Sequence, residues 1–331
     1  MINFEYSRVS SVEAALQVLG KNPGAAFIAG GTNLVDLMKR GVTAPPRLID
    51  INGISLKEIK KNERAGKTYL EIGALALNSV VADDESVNKD FPLLAMALRA
   101  GASPQLRNMA TVGGNMMQRT RCTYFYDTVM PCNKRQPGSG CGALKGYNRM
   151  HAIFGASEQC IAVHPSDMCV ALAALDGTVE LRTAAKKREL AFREFHRLPG
   201  TTPQKDNNLQ PGEIITQVRI PYNRYTHAHY LKVRDRASYA FALVSVAAAF
   251  ELDGNTIRSA TLALGGVAHK PWVAVDAARS LVGKPAATAS FTEAARIAVK
   301  GAKGYGENNF KIQLASATII EALENCMKSQ A

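Results

Sequence analysis

A chain of 331 residues with 47% hydrophobic and 21% charged positions has room for two or three cores and the balance of an ordinary globular protein. The net charge of +12 admits nucleic acid, an anionic cofactor, an acidic partner subunit or plain surface lysine. No basic run of five occurs and aromatics are not interleaved with the basic residues, so nucleic-acid binding is not expected. No apolar run reaches the roughly eighteen residues of a membrane span. Met1-Ile2-Asn3-Phe4-Glu5-Tyr6 lacks a cationic segment followed by an apolar one, so synthesis and folding in the cytoplasm are expected, with export beside a signal-bearing partner left open.

In chain order, Ser11 is placed to cap a helix with Glu13 in its first turn and Ala14, Ala15, Leu16, Val18 and Leu19 inside it. Residues 25–29 read as a short buried strand. Gly30-Gly31 break it, and Thr32-Asn33 lead into helical spacing from Leu34 to Lys39. Glycines allow a sharp turn and a close backbone approach. The free N–H groups of such a turn and helix start favour an anion such as phosphate. The motif is neither G-x-G-x-x-G nor a Walker A loop, and by itself it is as readily a plain turn. Residues 47–51 add a strand, giving a β-α-β start. Residues 60–67 read as a polar turn, 68–73 as a strand, 78–84 and 92–100 as helices. Residues 106–115 form a second glycine turn, whose Gly113-Gly114-Asn115 echoes Gly30-Gly31-Thr32-Asn33. Two such turns can grip the two ends of one pyrophosphate, or they can be independent loops.

Residues 119–161 have loop composition, rich in Pro, Gly, Ser and Asn. A loop this long inside a domain needs something to hold it. Of the six cysteines, Cys122, Cys132, Cys141, Cys160 and Cys169 fall within 48 residues. The spacing Cys122-x9-Cys132-x8-Cys141-x18-Cys160 contains no C-x2-C pair, so common zinc-ribbon and ferredoxin patterns fail. Four sulfurs around one loop still suit iron–sulfur or zinc, with disulfides or unrelated thiols open. Cys169 sits in an apolar helical run and reads as core; Cys326 reads as incidental. His164-Pro165-Ser166-Asp167 opens that helix, with Ser166 or Asp167 as its cap. Residues 177–182 read as a strand, 190–195 as a short helix and 212–221 as a strand. Beyond about residue 222 the character changes: antiparallel strands at 230–234, 242–252 and 256–264, then helices at 274–281, 291–300 and 314–327, form a separate α+β core. No Ser or Cys triad, H-E-x-x-H or carboxylate pair emerges, so the chain has ligand-holding parts without an acid–base pair.

Three motifs in this order, Phe27-Ile28-Ala29-Gly30-Gly31-Thr32-Asn33, Ala110-Thr111-Val112-Gly113-Gly114-Asn115 and His164-Pro165-Ser166-Asp167, resemble the FAD-binding medium subunits of the xanthine dehydrogenase family of molybdenum hydroxylases. The resemblance covers essentially the whole chain. It implies an α+β protein. A two-lobed FAD-binding domain of the vanillyl-alcohol-oxidase-like (PCMH) type would span 1–222, with lobes of about 1–55 and 56–222 and the Cys-rich loop at 119–161. An α+β C-terminal domain of the CO dehydrogenase flavoprotein type would span 223–331. The 119–141 stretch and Lys232-Val233-Arg234-Asp235-Arg236-Ala237-Ser238-Tyr239-Ala240-Phe241-Ala242-Leu243-Val244-Ser245 resemble more closely the FAD subunits of bacterial periplasmic aldehyde oxidoreductases. That likeness implies a [4Fe-4S] cluster on Cys122, Cys132, Cys141 and Cys160, with Cys169 outside the set.

By the same resemblance, Phe27, Ile28, Ala29, Gly30, Gly31, Thr32, Asn33 and Leu34 hold the FAD pyrophosphate, and Thr111, Gly114, Asn115 and Thr120 line its phosphate and ribityl region. Asp167 accepts from cofactor hydroxyls, while Ile215 and Lys232 lie near the isoalloxazine. The implied function is electron transfer within a molybdenum-dependent aldehyde oxidoreductase. Aldehyde becomes carboxylic acid at the molybdenum cofactor of a large partner subunit, and electrons pass through a small [2Fe-2S] subunit to FAD and on to an external acceptor. The implied compartment is the periplasm, reached by co-export. Two rivals stand beside this: a self-contained FAD oxidoreductase, and a basic scaffold protein with a structural four-cysteine zinc site.

Overall fold

A computed structural model describes residues 1–222 and 225–328; the expected start of the second domain at 223 and its end at 331 lie outside them. The chain opens with a small parallel sheet ordered β1-β3-β2, from β1 (Glu5–Arg8), β2 (Ala26–Ile28) and β3 (Arg47–Asp50). Ser11 caps the intervening helix Val12–Lys21, its hydroxyl accepting from Ala14 N at 3.1 Å. That helix buries Val12, Ala15 and Leu16 against a core shared with Ile49, Ile51, Ile54 and Leu75, the period-3.6 stripe read from the sequence. β1 has an almost wholly exposed side-chain row, which is why no apolar pattern announced it.

A five-stranded antiparallel sheet follows in the order β4-β5-β8-β6-β7, from β4 (Ile59–Arg64), β5 (Lys67–Gly73), β6 (Thr178–Arg182), β7 (Lys187–Ala191) and β8 (Ile214–Pro221). Helices Pro92–Ala100 and Asp167–Ala174 pack in its core. The latter is buried at every position, so it has no polar face. The polar stretch 60–67 proves to be mostly edge strand β4. Its charges lie outward on the edge, where Lys and Glu protect against stray pairing, and Ala65-Gly66, both at positive φ, make the tight hairpin turn to β5. The helix expected over 190–195 is likewise the end of β7 and one turn, Phe192–Phe195.

The remaining sheet is antiparallel and ordered β12-β11-β10-β9, from β9 (His227–Val233), β10 (Val244–Asp253), β11 (Thr256–Gly265) and β12 (Trp272–Val273). Helices Val275–Leu281, Thr288–Ala298 and Phe310–Lys328 cover one face. Along β10, Val246, Ala248 and Phe250 enter that helix-covered core, while Ala247 and Ala249 enter the core of the five-stranded sheet. One strand with period 2 therefore serves two cores, which joins the C-terminal unit to the rest. No helix among the described residues is long and apolar enough to cross a membrane.

Candidate functional site

A cavity of about 940 Å³ lies where the three sheets meet, at the large end of ligand sites. Its first wall is the segment after β2. Ala29, Gly30 and Gly31 leave the strand, Gly31 at φ +69°, and Val35 N and Leu37 N close the first helical bonds onto Gly31 O and Asn33 O. Asn33 does not cap by its side chain. Its Oδ1 accepts instead from Arg119 N at 2.9 Å, tying this turn to the cysteine loop.

The second glycine motif is not a turn. Thr111 caps a short helix, Val112–Met116, through Gly114 N→Thr111 Oγ1 at 3.1 Å. Gly113 is there for packing, since a β-carbon on it would meet Ala74 at 3.1 Å. The two motifs meet directly: a β-carbon on Gly30 would sit 1.8 Å from Met109 O. Phe27, Ile28, Ala29, Gly30, Gly31, Thr32, Asn33, Leu34, Thr111, Gly114, Asn115, Asp167, Ile215 and Lys232 all line the one cavity.

Thr120 is the exception. It is buried and faces the cysteine pocket, and its hydroxyl accepts from Cys122 N at 3.3 Å. The chain turns into the cysteine loop at Arg119, so Thr120 is directed away from the large cavity.

Asp167 and Lys232 form a buried ion pair on the cavity wall at 2.7 Å, and Lys232 Nζ also donates to Ala100 O at 3.0 Å. Tyr230 OH donates to Asp167 Oδ1 at 2.8 Å, and burial beside that carboxylate pushes the phenol well above its ordinary pKa. Ser166, not Asp167, caps the helix, accepting from Cys169 N at 3.1 Å and donating to Asn115 Oδ1 at 2.6 Å. The carboxylate is thereby free to serve the cavity. Asn78 was missed by sequence reasoning: it lines the cavity, and its Oδ1 is buried without a partner among the described residues. Arg236, Tyr239 and Phe241, on the loop between β9 and β10, complete the wall; Tyr239 holds a positive φ of 51°, and no motif announced that bend. A cavity of this volume with an orphaned acceptor, a glycine-lined wall and the guanidinium groups of Arg107, Arg119, Arg121 and Arg236 fits a nucleotide cofactor such as FAD.

Beside it, Cys122, Cys132, Cys141 and Cys160 converge on a void of about 10 Å³, room for about one water. All are free thiols. Cys132 and Cys141 face each other across an antiparallel bridge. Asn133 Oδ1 accepts from Gly138 N and Gly140 N, and Arg135 donates to the carbonyls of Tyr124, Phe125, Thr128 and Met130. These side chains fold the loop in place of regular structure. Burial pushes Cys122 up to about 12 and Cys160 up to about 11, so thiolates here require a compensating cation. The nearby backbone N–H groups of Phe125 and Tyr124 oppose that rise at Cys122. Lys134, fully buried, donates to Pro203 O and Asp206; burial opposes that carboxylate's charge, but Lys134 and Arg119 hold it down to about 2. Donor type and convergence fit a four-thiolate metal centre. Cys169 lies outside, fully buried beside His164 and His196.

The family pattern described as the FAD binding domain in molybdopterin dehydrogenase matches residues 2–223, and that of the CO dehydrogenase flavoprotein C-terminal domain matches residues 229–325. The chain is 49% identical over 321 residues, 97% of each chain, to the aldehyde oxidoreductase FAD-binding subunit PaoB of Escherichia coli. It is 31% identical over 281 residues to the glyceraldehyde dehydrogenase medium chain of Sulfolobus acidocaldarius, covering 85% of this chain and 82% of the other. Among solved structures, quinoline 2-oxidoreductase from Pseudomonas putida 86 superposes with a TM-score of 0.75 at 25% identity, over 99% of this chain and 98% of the other. Carbon monoxide dehydrogenase from Hydrogenophaga pseudoflava gives 0.77 at 24% identity over the full length of both, a likeness of fold.

Proposed function

The chain belongs to the FAD-binding medium subunits of the xanthine dehydrogenase family, an oxidoreductase family, and from that premise we propose that it is the FAD- and [4Fe-4S]-carrying electron-transfer subunit of a molybdenum-dependent aldehyde oxidoreductase. Aldehyde oxidation belongs to a large partner subunit, a small [2Fe-2S] subunit relays electrons, and an external acceptor removes them. The periplasm, reached by co-export, is the compartment we assign. The observation that carries this reading is the single cavity lined by both glycine motifs, Asp167, Ile215 and Lys232.

Bound there, FAD supplies the two-electron redox couple that the protein side chains lack. The chain's own part is to bind and orient. The N–H groups around Gly31 and Thr32, on the cavity wall, would hold the pyrophosphate, as at other helix starts. Asp167, held by Tyr230 and Lys232, offers carboxylate lone pairs to cofactor hydroxyls. Lys232, with two of its three N–H groups engaged, has one left for the flavin edge. The match to medium chains of multi-subunit enzymes over most of the chain supports the subunit reading over a self-contained flavoenzyme.

The four thiols support an iron–sulfur centre by donor type. The same four-thiolate donor set also suits a single zinc ion, the second reading. Metal, acid-labile sulfide and flavin analysis of the purified chain separates these. We expect one FAD with iron and sulfide; zinc without sulfide overturns the cluster, and a colourless protein overturns both cofactors. Cys132→Ser should lose iron while FAD stays largely bound, and unchanged iron would place the centre elsewhere. Aldehyde turnover by the chain alone would favour the self-contained enzyme.

A further inference from the structure

Resting on the iron–sulfur reading, we propose that His151 donates a hydrogen bond from Nε2 to the thiolate of Cys122 and so sets the reduction potential of the iron centre that Cys122 helps to hold. Nε2 lies 3.1 Å from Cys122 Sγ. His151 is absent from the residues around the void between the four sulfurs, so it stands behind the ligand rather than among the ligands. Among the described residues it is the one side chain hydrogen-bonded to any of the four sulfurs.

The backbone that carries the imidazole is fixed largely from the C-terminal unit. His151 O accepts from Lys311 Nζ at 2.9 Å and from Asn308 Nδ2 at 3.2 Å, and both of those residues are fully buried. His151 N donates to Asn148 O at 2.9 Å. The tautomer follows from the ligand. A metal-bound thiolate has no proton and only accepts, so Nε2 carries the hydrogen and Nδ1 is bare. Nδ1 is buried and has no partner among the described residues, so no competing bond pulls the ring away. An N–H bond to a cluster sulfur withdraws charge from it and favours the added electron, one of the levers by which proteins tune such centres.

The test compares the full chain, purified with its cofactors, as wild type, His151→Phe and His151→Gln, by iron and sulfide analysis and by an EPR-monitored redox titration. At the solution potential that half-reduces the wild-type centre, His151→Phe should be on the order of tenfold more oxidised, which for a one-electron couple is about 59 mV lower. Gln, which keeps an N–H, should restore most of the difference. Iron retained with no shift overturns this proposal alone, and so does a wild-type centre that dithionite cannot reduce. Loss of iron in His151→Phe also overturns it, because the residue is then a ligand or a prop. Absence of iron and sulfide from the wild type removes the cluster reading and this proposal together. Should the Phe variant not accumulate, wild-type chain labelled with 15N-histidine serves: the reduced centre should show a weak nitrogen coupling by pulsed EPR, and its absence overturns the assignment.

Discussion

Asp167 illustrates how one side chain is assigned its work by its neighbour. Both Ser166 and Asp167 suit a helix start; Ser166 takes the cap, and Asp167 is turned toward Lys232 and Tyr230 at the cavity. A buried ion pair is weak evidence of stability, but breaking one half leaves an unpaired buried charge. Asp167→Ala should therefore lower unfolding free energy by about 3–5 kcal/mol, read by urea denaturation, and deplete bound FAD. The doubly neutral Asp167→Asn with Lys232→Met should recover more than half of the stability loss. If the single and double variants unfold alike, the pair is not buried as described. Lys232 was legible as a cavity cation only through the family resemblance; its pairing across 65 positions was not legible at all.

At the scale of elements, the two glycine motifs do different jobs. After β2 the glycines make a turn with a positive φ; Gly113 and Gly114 lie inside helix Val112–Met116, where Gly113 lets the helix pack on Ala74 just beyond β5. Their similarity in sequence reflects a shared need for close approach rather than a shared conformation. Gly30 is the tightest point, where its backbone abuts the Met109 carbonyl. A methyl there must part the two walls of the cavity. Gly30→Ala should destabilise by about 1–3 kcal/mol, as overpacking does, and purify with a reduced ratio of flavin absorbance to protein. Full flavin occupancy would show that the walls can separate freely. The same scale explains the missed strands: β4 and β7 sit at sheet edges, and edge strands with solvated side chains carry no apolar alternation.

At the scale of the whole molecule, the cysteine loop is held from both sides. Arg119 and Lys134 anchor it to Asp206, and Lys311 and Asn308 anchor the chain at His151 to the C-terminal helix region. Among the described residues Lys311 has carbonyl partners but no carboxylate, and burial lowers its pKa to about 7. The folded state therefore releases its proton well before the unfolded state does. Between about pH 7 and the ordinary lysine value the unfolded chain binds more protons, so this group makes stability rise with pH. Comparison with Lys311→Met isolates the effect: the wild type should gain on the variant from about pH 7 to 10 in urea unfolding, and a pH-independent difference would mean that Lys311 is charged throughout. The sequence by itself determined the strand–Gly-Gly–helix anchor, the break into a second α+β unit, the cysteine set and the family, because these rest on local spacing and on motifs short enough to read in one dimension. Only the tertiary structure decided that fourteen of the fifteen expected cofactor residues share one cavity while Thr120 does not, that β10 serves two cores, and that His151 stands against Cys122. Each of these joins residues far apart in the chain, and burial and partner geometry exist only once the sheets have packed.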